Sequence, residues 1–149
     1  MKTSKTTRLY DSFPTLYRER TMTLAQSQMA WGFQCDDGWY DLVWDLSEQL
    51  SSDPSLAVNE IRADKGELLV SLTNPSPEAT DAVEHTRLKS KFTCELCGHA
   101  PAYLRTHPDF RDKVVCGHCM RRGKRRPHNK NFKSRLHGNP PAEVIIRKR

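Results

Sequence analysis

Residues 94 to 119 contain two C-x-x-C pairs, Cys94-Glu95-Leu96-Cys97 and Cys116-Gly117-His118-Cys119, with 18 residues between them. A separation of about 15 to 20 residues between such pairs is typical of a zinc site. Two residues between cysteines let one tight turn direct both sulfurs to one ion, and Gly98 tolerates the backbone conformation that such a turn needs. Four thiolates complete a tetrahedron and leave no open position, which indicates one structural Zn²⁺.

Other cysteine and histidine residues offer alternatives to this assignment. His99, His107 and His118 would allow a Cys₃His set, but four cysteines make it unnecessary and surface histidines are the simpler interpretation. The fifth cysteine, Cys35, is interpreted as a small buried apolar residue, with a further ligand or a catalytic thiol as the alternative. Redox chemistry at one C-x-x-C pair would need a thioredoxin-like βαβ pattern, which the chain lacks.

Short strands are predicted on either side of a turn between the cysteine pairs. They cover residues 102–105 and 113–115, and the turn lies near Pro108 and Asp109. The unit over residues 93–120 is therefore predicted to be a zinc ribbon.

The residues before the ribbon have an αββα pattern. Trp39, Val43, Leu46 and Leu50 recur at spacings of three and four, which is typical of an amphipathic helix and predicts Trp39 and Leu46 in the core. The predicted elements are a helix over 39–50, strands over 56–62 and 67–73 around a glycine-containing turn at 63–66, and a second helix from Ser76 or Pro77 to about Ser90.

The chain upstream of the first predicted helix is less regular. Residues 1–12 are polar and predicted to be mobile, residues 23–30 are compatible with a helix, and Asp36-Asp37-Gly38 marks a tight bend. The predicted fold class is α+β, a small αββα domain followed by a four-cysteine ribbon and a basic tail. The predicted division is an N-terminal segment at 1–22, the α+β domain at 23–92, the ribbon at 93–120 and the tail at 121–149.

The charge of the 149-residue chain is unevenly distributed. Residues 120–149 hold eleven Lys and Arg against the single acid Glu143, a net charge of +10, so that −4 remains on the other 119 residues of a chain with net charge +6. A basic tail on an acidic body predicts contact with a polyanion, usually nucleic acid, and a solvated tail that aids solubility is the alternative. The predicted nucleic-acid-binding residues are Arg121, Arg122, Lys124, Arg125, Arg126, Lys130, Lys133 and Arg135.

The tail has no sustained period after Met120 and is predicted to be irregular unless bound. Phosphate contacts should dominate its binding, because Phe132 is its only aromatic residue for stacking on a base. The apolar run at 144–146 could add a strand to a sheet edge. The sequence has no signal-peptide-like region near Met1 and no apolar run of the roughly 20 residues that cross a bilayer, so a cytoplasm-like location is expected.

Residues 29–42, MAWGFQCDDGWYDL, are followed by a helix, a hairpin, a second helix and CELCG. This order resembles a family of small uncharacterised zinc-binding proteins of tailed bacteriophages and prophages, over roughly residues 10–120. The relatives carry a motif close to M-x-x-G-F-E-C-G-D-G-W-Y-D-L-I, so GWYDL at 38–42 is shared while Asp36 replaces a glycine. Their F-G-x-L-R-F-Y hairpin segment survives here only as Gly66 and Leu68, and the basic tail is an extension. The resemblance implies a phage origin, a bacterial host cell and a zinc-binding αββα architecture, and it implies no activity.

Two functions remain open at the level of sequence. The first is an accessory protein that binds nucleic acid or a nucleoprotein complex through the ribbon and tail. The second is a phage effector that binds and modulates a host protein of defence or transcription. Its binding surface would contain Trp31, Asp36, Asp37, Trp39, Tyr40 and Asp41, although core packing of these aromatics is the favoured interpretation.

An HNH-type nuclease is the less favoured third hypothesis, and no enzymatic activity is expected. Such chemistry needs a histidine base and further ligands for a metal-bound phosphate. The local candidates are His107, His118, His128 and Asn131, with no adjacent Asp-His or His-His pair between the cysteine pairs.

Overall fold

The structure of the protein is a computed structural model that describes residues 1–106 and 112–124. Its helices and strands are α1 (Thr3–Ser12), α2 (Tyr40–Leu50), β1 (Ala57–Asp64), β2 (Glu67–Thr73), α3 (Pro77–Ser90), β3 (Tyr103–Arg105), β4 (Lys113–Val115) and α4 (Gly117–Lys124). The strands form two separate antiparallel hairpins, β1–β2 and β3–β4. The fold is therefore mixed α and β, and the predicted αββα order is present as α2, β1, β2 and α3. Within the described ranges no helix is long and apolar enough to cross a membrane.

The β1–β2 hairpin closes through a tight turn at Lys65 and Gly66, whose φ angles are 46° and 80°. Two successive positive φ angles match the twist of the paired strands, and glycine adopts such an angle without steric cost. The outer edge of β1 is also paired. Gln34 accepts a hydrogen bond from the Ala63 amide at 2.9 Å and donates one to the Ile61 carbonyl at 3.0 Å, so the segment before the GWYDL motif is fastened to β1.

The predicted mobility of residues 1–12 is wrong, because the structure places α1 there. Leu9 is fully buried, and the Tyr10 ring lies 5.8 Å from that of Tyr17 and 5.3 Å from that of Phe33. Two apolar side chains in ten residues give a weak helical pattern in sequence, and it is their packing against the body that makes this helix stable.

The helix-compatible segment at 23–30 contains a turn and the start of a 3₁₀ turn over Gln28–Trp31. The Ser27 hydroxyl accepts a hydrogen bond from the Met29 amide at 3.2 Å and caps this turn. Serine favours such local caps over a helix interior, which is why the α-helix does not form.

The tail is not irregular immediately after Met120, because α4 continues to Lys124. The Met120 amide donates to the Cys116 carbonyl at 3.0 Å, so the helix starts at the second cysteine pair. Arginine and lysine favour helices, so the helix that starts at the cysteine pair continues through the basic residues up to Lys124. The predicted turn at 108–109 and the tail from Arg125 onward, including 144–146, lie outside the described residues.

One hydrophobic cluster joins the N-terminal segment, the αββα elements and the ribbon. Trp39 and Leu46 are buried in it, as predicted. The Tyr17 hydroxyl lies 2.6 Å from that of Ser47 and so is satisfied inside the core. The predicted core position is wrong for Trp31, whose surface is 63% exposed. Met29 occupies the buried position of the same 3₁₀ turn instead.

Trp39→Ala is expected to destabilise the protein by about 3 to 5 kcal/mol, because it removes a fully buried aromatic side chain. Urea unfolding followed by circular dichroism measures the change. Trp31→Ala is the matched control and should leave the unfolding midpoint nearly unchanged. Equal midpoints for the two variants would contradict the core position of Trp39.

Candidate metal centre

The four cysteine sulfurs of Cys94, Cys97, Cys116 and Cys119 all lie within 4.8 Å of one another. The Cys97 and Cys116 sulfurs are 3.7 Å apart. A zinc–sulfur bond of about 2.3 Å in tetrahedral geometry places neighbouring sulfurs about 3.8 Å apart. The cluster is therefore suited to a single metal ion of the zinc type.

The first cysteine pair lies on a tight turn that its own backbone closes. The Gly98 amide donates to the Cys94 carbonyl at 2.8 Å, and the Cys94 amide donates to the His99 carbonyl at 2.9 Å. Gly98 has a φ angle of 79°, in the left-handed region that favours glycine. This turn, called here the first knuckle (residues 94–98), directs both of its sulfurs to the same side.

The second pair is held by the junction of β4 and α4. Cys116 follows β4 directly, and Cys119 lies in the first turn of α4. The Cys119 amide lies 3.5 Å from the Cys116 sulfur, within range of a weak N–H···S hydrogen bond. No loop separates β4, Cys116 and α4, so the second cysteine pair has little conformational freedom.

The thiol environment differs among the four residues. Burial and the neighbouring sulfurs raise the pKa of Cys119, and burial raises that of Cys97. Burial also acts on Cys116, but the Cys119 amide and the neighbouring sulfurs outweigh it and lower the pKa of Cys116 to about 7. Four thiolates at these distances repel one another strongly, so a divalent cation is the group that fits this donor set.

The alternative ligands lie apart from the cluster. His99 and His118 are exposed, and neither joins the four sulfurs in the described part of the chain, while His107 falls outside that part. Cys35 is buried, and burial raises the pKa of its thiol to about 12, so it carries a neutral thiol. The prediction of a small buried residue at this position is confirmed.

The first knuckle packs directly on the GWYDL motif, at Gly38. The Gly38 amide donates to the Glu95 carbonyl at 2.8 Å. A Cβ atom at Gly38 would lie 2.2 Å from the Cys94 carbonyl oxygen, and one at Gly98 would lie 2.9 Å from the Gly38 carbonyl oxygen. The two backbones can approach this closely because both positions are glycine and neither carries a Cβ atom.

Trp39 and Asp36 extend this contact on either side. The Trp39 indole N–H donates to the Thr93 carbonyl at 2.8 Å, immediately before the first knuckle. Asp36 forms an ion pair with Lys113, whose ammonium also donates to the buried Glu95 carboxylate at 3.0 Å. The first knuckle therefore packs against the GWYDL motif and the residues next to it.

The pKa directions within this ion cluster follow from the same geometry. Burial raises the pKa of Glu95 and outweighs the hydrogen bond from Lys113. Burial opposes the charge of Lys113, but Asp36 and Glu95 together raise the pKa of its ammonium. The buried carboxylate thus has a permanent cation beside it, which removes the cost of an unpaired buried charge.

The residues predicted to form an acidic and aromatic binding surface differ in their exposure and in their partners. Trp39 is buried, Asp36 pairs with Lys113, and Asp37 accepts a hydrogen bond from the Lys2 amide at 2.6 Å. Tyr40 is half-buried and Asp41 is exposed. Most of this set therefore holds the protein together, and Trp31 and Asp41 are its two exposed members.

The basic residues predicted to bind nucleic acid are only partly within the described ranges. Arg121 and Arg122 are exposed on α4, and Lys124 ends that helix. Arg125, Arg126, Lys130, Lys133 and Arg135 lie outside the described residues.

No protein-family model, curated protein or solved structure matches this chain. The proposal for its function therefore rests on the geometry of its own residues.

Proposed function

We propose that this chain is a zinc-stabilised nucleic-acid-binding protein. The observation that supports the proposal is the helix α4, which begins at the four-cysteine cluster and carries exposed Arg121 and Arg122 directly before the most basic part of the sequence. The cluster fixes the start of that helix, so the first cations of the basic region are held on a rigid element.

The metal in this proposal is one Zn²⁺ with a structural role. Bound zinc supplies a fourfold cross-link between the first knuckle, β4 and α4. Its four ligands are protein thiolates, which leave no coordination position for water or substrate. The cysteines therefore shape the surface that binds, and they perform no chemistry on the ligand.

Binding would depend mainly on phosphate contacts. Residues 93–124 contain six Lys and Arg against three acids, a net charge of +3, in addition to the cations that follow Lys124. Glu95 and Lys113 pair with each other and together add no net charge to this region, and Asp112 accepts a hydrogen bond from Thr106 at 2.5 Å. A basic surface of this kind attracts nucleic acid of any sequence.

The resemblance to phage proteins extends the proposal to an accessory role in a phage-infected bacterium. The contact between Gly38 and the first knuckle supports it, because it gives a physical reason for the GWYDL motif and the C-x-x-C pair to occur together. The target in that setting is nucleic acid or a nucleoprotein complex.

Binding of a host protein is the second candidate function. It is favoured by the exposed apolar side chains of Met22, Leu24 and Trp31 within one short segment. Affinity purification from infected cells with and without nuclease treatment separates the two candidates. Partners lost on nuclease treatment support nucleic-acid binding, and a host protein that is retained supports the second candidate.

Ending the chain after Lys124 is expected to abolish most nucleic-acid binding while leaving zinc content unchanged, because all four cysteines and α4 precede the cut. The truncation removes eight Lys and Arg residues. Loss of six phosphate contacts would reduce the slope of log affinity against log salt by about 5 units on duplex DNA. Fluorescence anisotropy over a salt series measures the slope.

Arg121→Gln with Arg122→Gln in the full chain should reduce the slope by about 2 units on duplex DNA, with all sequences weakened alike. Arg62→Gln, on β1 and paired with Glu60 and Asp64, is the control and should leave the slope unchanged. A full-length protein that binds neither DNA nor RNA at low salt would show the nucleic-acid proposal to be wrong.

A further inference from the structure

The outward face of β3 carries an exposed aromatic side chain beside an arginine. Tyr103 is 54% exposed, and the guanidinium carbon of Arg105 lies 6.0 Å from the centroid of its ring. Residues two apart on a strand project from the same face, and an arginine over a tyrosine ring is a favourable cation–π pair. The face therefore presents a flat π surface and a positive charge together.

This face points away from the β1–β2 turn. Leu104, between the two residues, points toward that turn, since its Cδ1 atom lies 2.7 Å from where a Cβ on Gly66 would be. By alternation, Tyr103 and Arg105 point to the opposite side. All three residues of β3 are exposed, Leu104 as much as Tyr103 at 54%.

A second exposed aromatic, Phe92, has its backbone near that of Tyr103. Phe92 is 57% exposed, and its carbonyl accepts a hydrogen bond from the Ala102 amide at 2.9 Å. Its backbone therefore lies beside that of Ala102, the residue before Tyr103. Two solvent-exposed aromatics so placed have a cost in water that a ligand with aromatic faces would remove.

The cations of α4 follow the strand that pairs with β3. Tyr103 pairs with Val115, which is followed by Cys116 and then by α4. A helix of eight residues is about 12 Å long, so exposed Arg121 and Arg122 are within a few nucleotides of Tyr103. The surface thus has charge complementary to a phosphate backbone and rings complementary to bases.

From these observations we infer that the face of β3 formed by Tyr103 and Arg105 is a base-stacking site for single-stranded nucleic acid, with the exposed Phe92 near it along the backbone. Bases in a duplex are already stacked on one another, whereas an unpaired base presents its face to an aromatic side chain. The inference rests on the proposed function and adds a preference for single strands. Arg121 and Arg122 would bind the phosphates of the same strand.

The test uses the full-length zinc-loaded protein and three labelled strands of equal length: oligothymidylate, oligouridylate and an abasic strand. Tyr103→Ala is expected to weaken binding to the base-bearing strands by about five- to 150-fold, since a stacked base contributes about 1 to 3 kcal/mol. Binding to the abasic strand should be unchanged, because that strand keeps its phosphates. Tyr103→Phe should bind as the parent does, because the ring is retained.

Trp31→Ala is the matched control, since it removes an equally exposed aromatic outside the ribbon. Phe92→Ala gives an independent test if Tyr103→Ala loses its zinc. Unchanged affinity of both variants for base-bearing strands, or equal loss on the abasic strand, would overturn the stacking site and leave phosphate binding by the tail in place. Failure of the parent protein to bind any of the three strands would overturn the proposed function as well. A loss confined to oligouridylate or to oligothymidylate identifies RNA or DNA as the ligand.

Discussion

Cys94→Ser is expected to remove the zinc ion and to unfold the ribbon. Zinc binding supplies on the order of 10 kcal/mol to modules of this kind, and a serine hydroxyl does not replace a thiolate as a ligand. Cys94 is fully buried, its amide is bonded to the His99 carbonyl, and its carbonyl is bonded to the Gly98 amide. Elemental analysis should fall from one zinc per chain to none, and the melting temperature should fall with it.

Cys35→Ser is the matched control for this loss. Cys35 is also buried but lies outside the four-sulfur cluster, so its replacement should leave the zinc stoichiometry at one. Treating the parent protein with a strong chelator should lower its melting temperature as Cys94→Ser does. Full zinc occupancy in Cys94→Ser would show that the four-cysteine assignment is wrong.

The metal centre could be predicted from sequence because its information is local. Each cysteine pair is a short turn, and the spacing of the two pairs alone restricts them to one ion. The structure confirms that the four sulfurs cluster. The helix α2 and the β1–β2 hairpin were also predictable, because hydrophobic periodicity and turn residues are local features of the sequence.

The partner of the GWYDL motif could not be predicted from sequence. Gly38 meets Glu95, and Asp36 meets Lys113, across 57 and 77 positions of the chain. No periodicity links residues that far apart, and a glycine in a turn is usually explained by its own backbone. Only the three-dimensional packing shows that Gly38 is small because another backbone lies against it.

The position of α1 and the orientation of Tyr103 could not be predicted from sequence either, because both depend on contacts between distant residues. The helix α1 has few apolar residues, and its stability comes from contacts with Tyr17 and Phe33 rather than from its own pattern. Tyr103 reads in sequence as one aromatic residue in a short strand. The side to which its ring points depends on the register of β3 against β4 and on the position of Leu104 at the hairpin turn.

Gly38→Ala is expected to give the second-largest loss, although it adds only one methyl group. The new Cβ would meet the Cys94 carbonyl oxygen at 2.2 Å and the Glu95 carbonyl carbon at 2.6 Å, both of them backbone atoms. Overpacking against atoms that cannot move aside costs about 3 kcal/mol or more. If that strain is present only when the first knuckle is docked, zinc affinity falls by on the order of 100-fold. Urea unfolding and competition with a chromophoric chelator measure the two effects.

Gly117→Ala is the matched control, because Gly117 is adjacent to Cys116, one of the four proposed zinc ligands. A Cβ there would lie 3.4 Å from the end of the flexible Arg121 side chain, and alanine favours a helix over glycine by up to about 1 kcal/mol. Zinc affinity should therefore be kept in Gly117→Ala and reduced in Gly38→Ala, even though Gly38 is more than 50 residues from the nearest ligand in sequence. If Gly38→Ala instead binds zinc and unfolds as the parent protein does, then the GWYDL motif does not support the first knuckle, and its occurrence with the C-x-x-C pair has another cause.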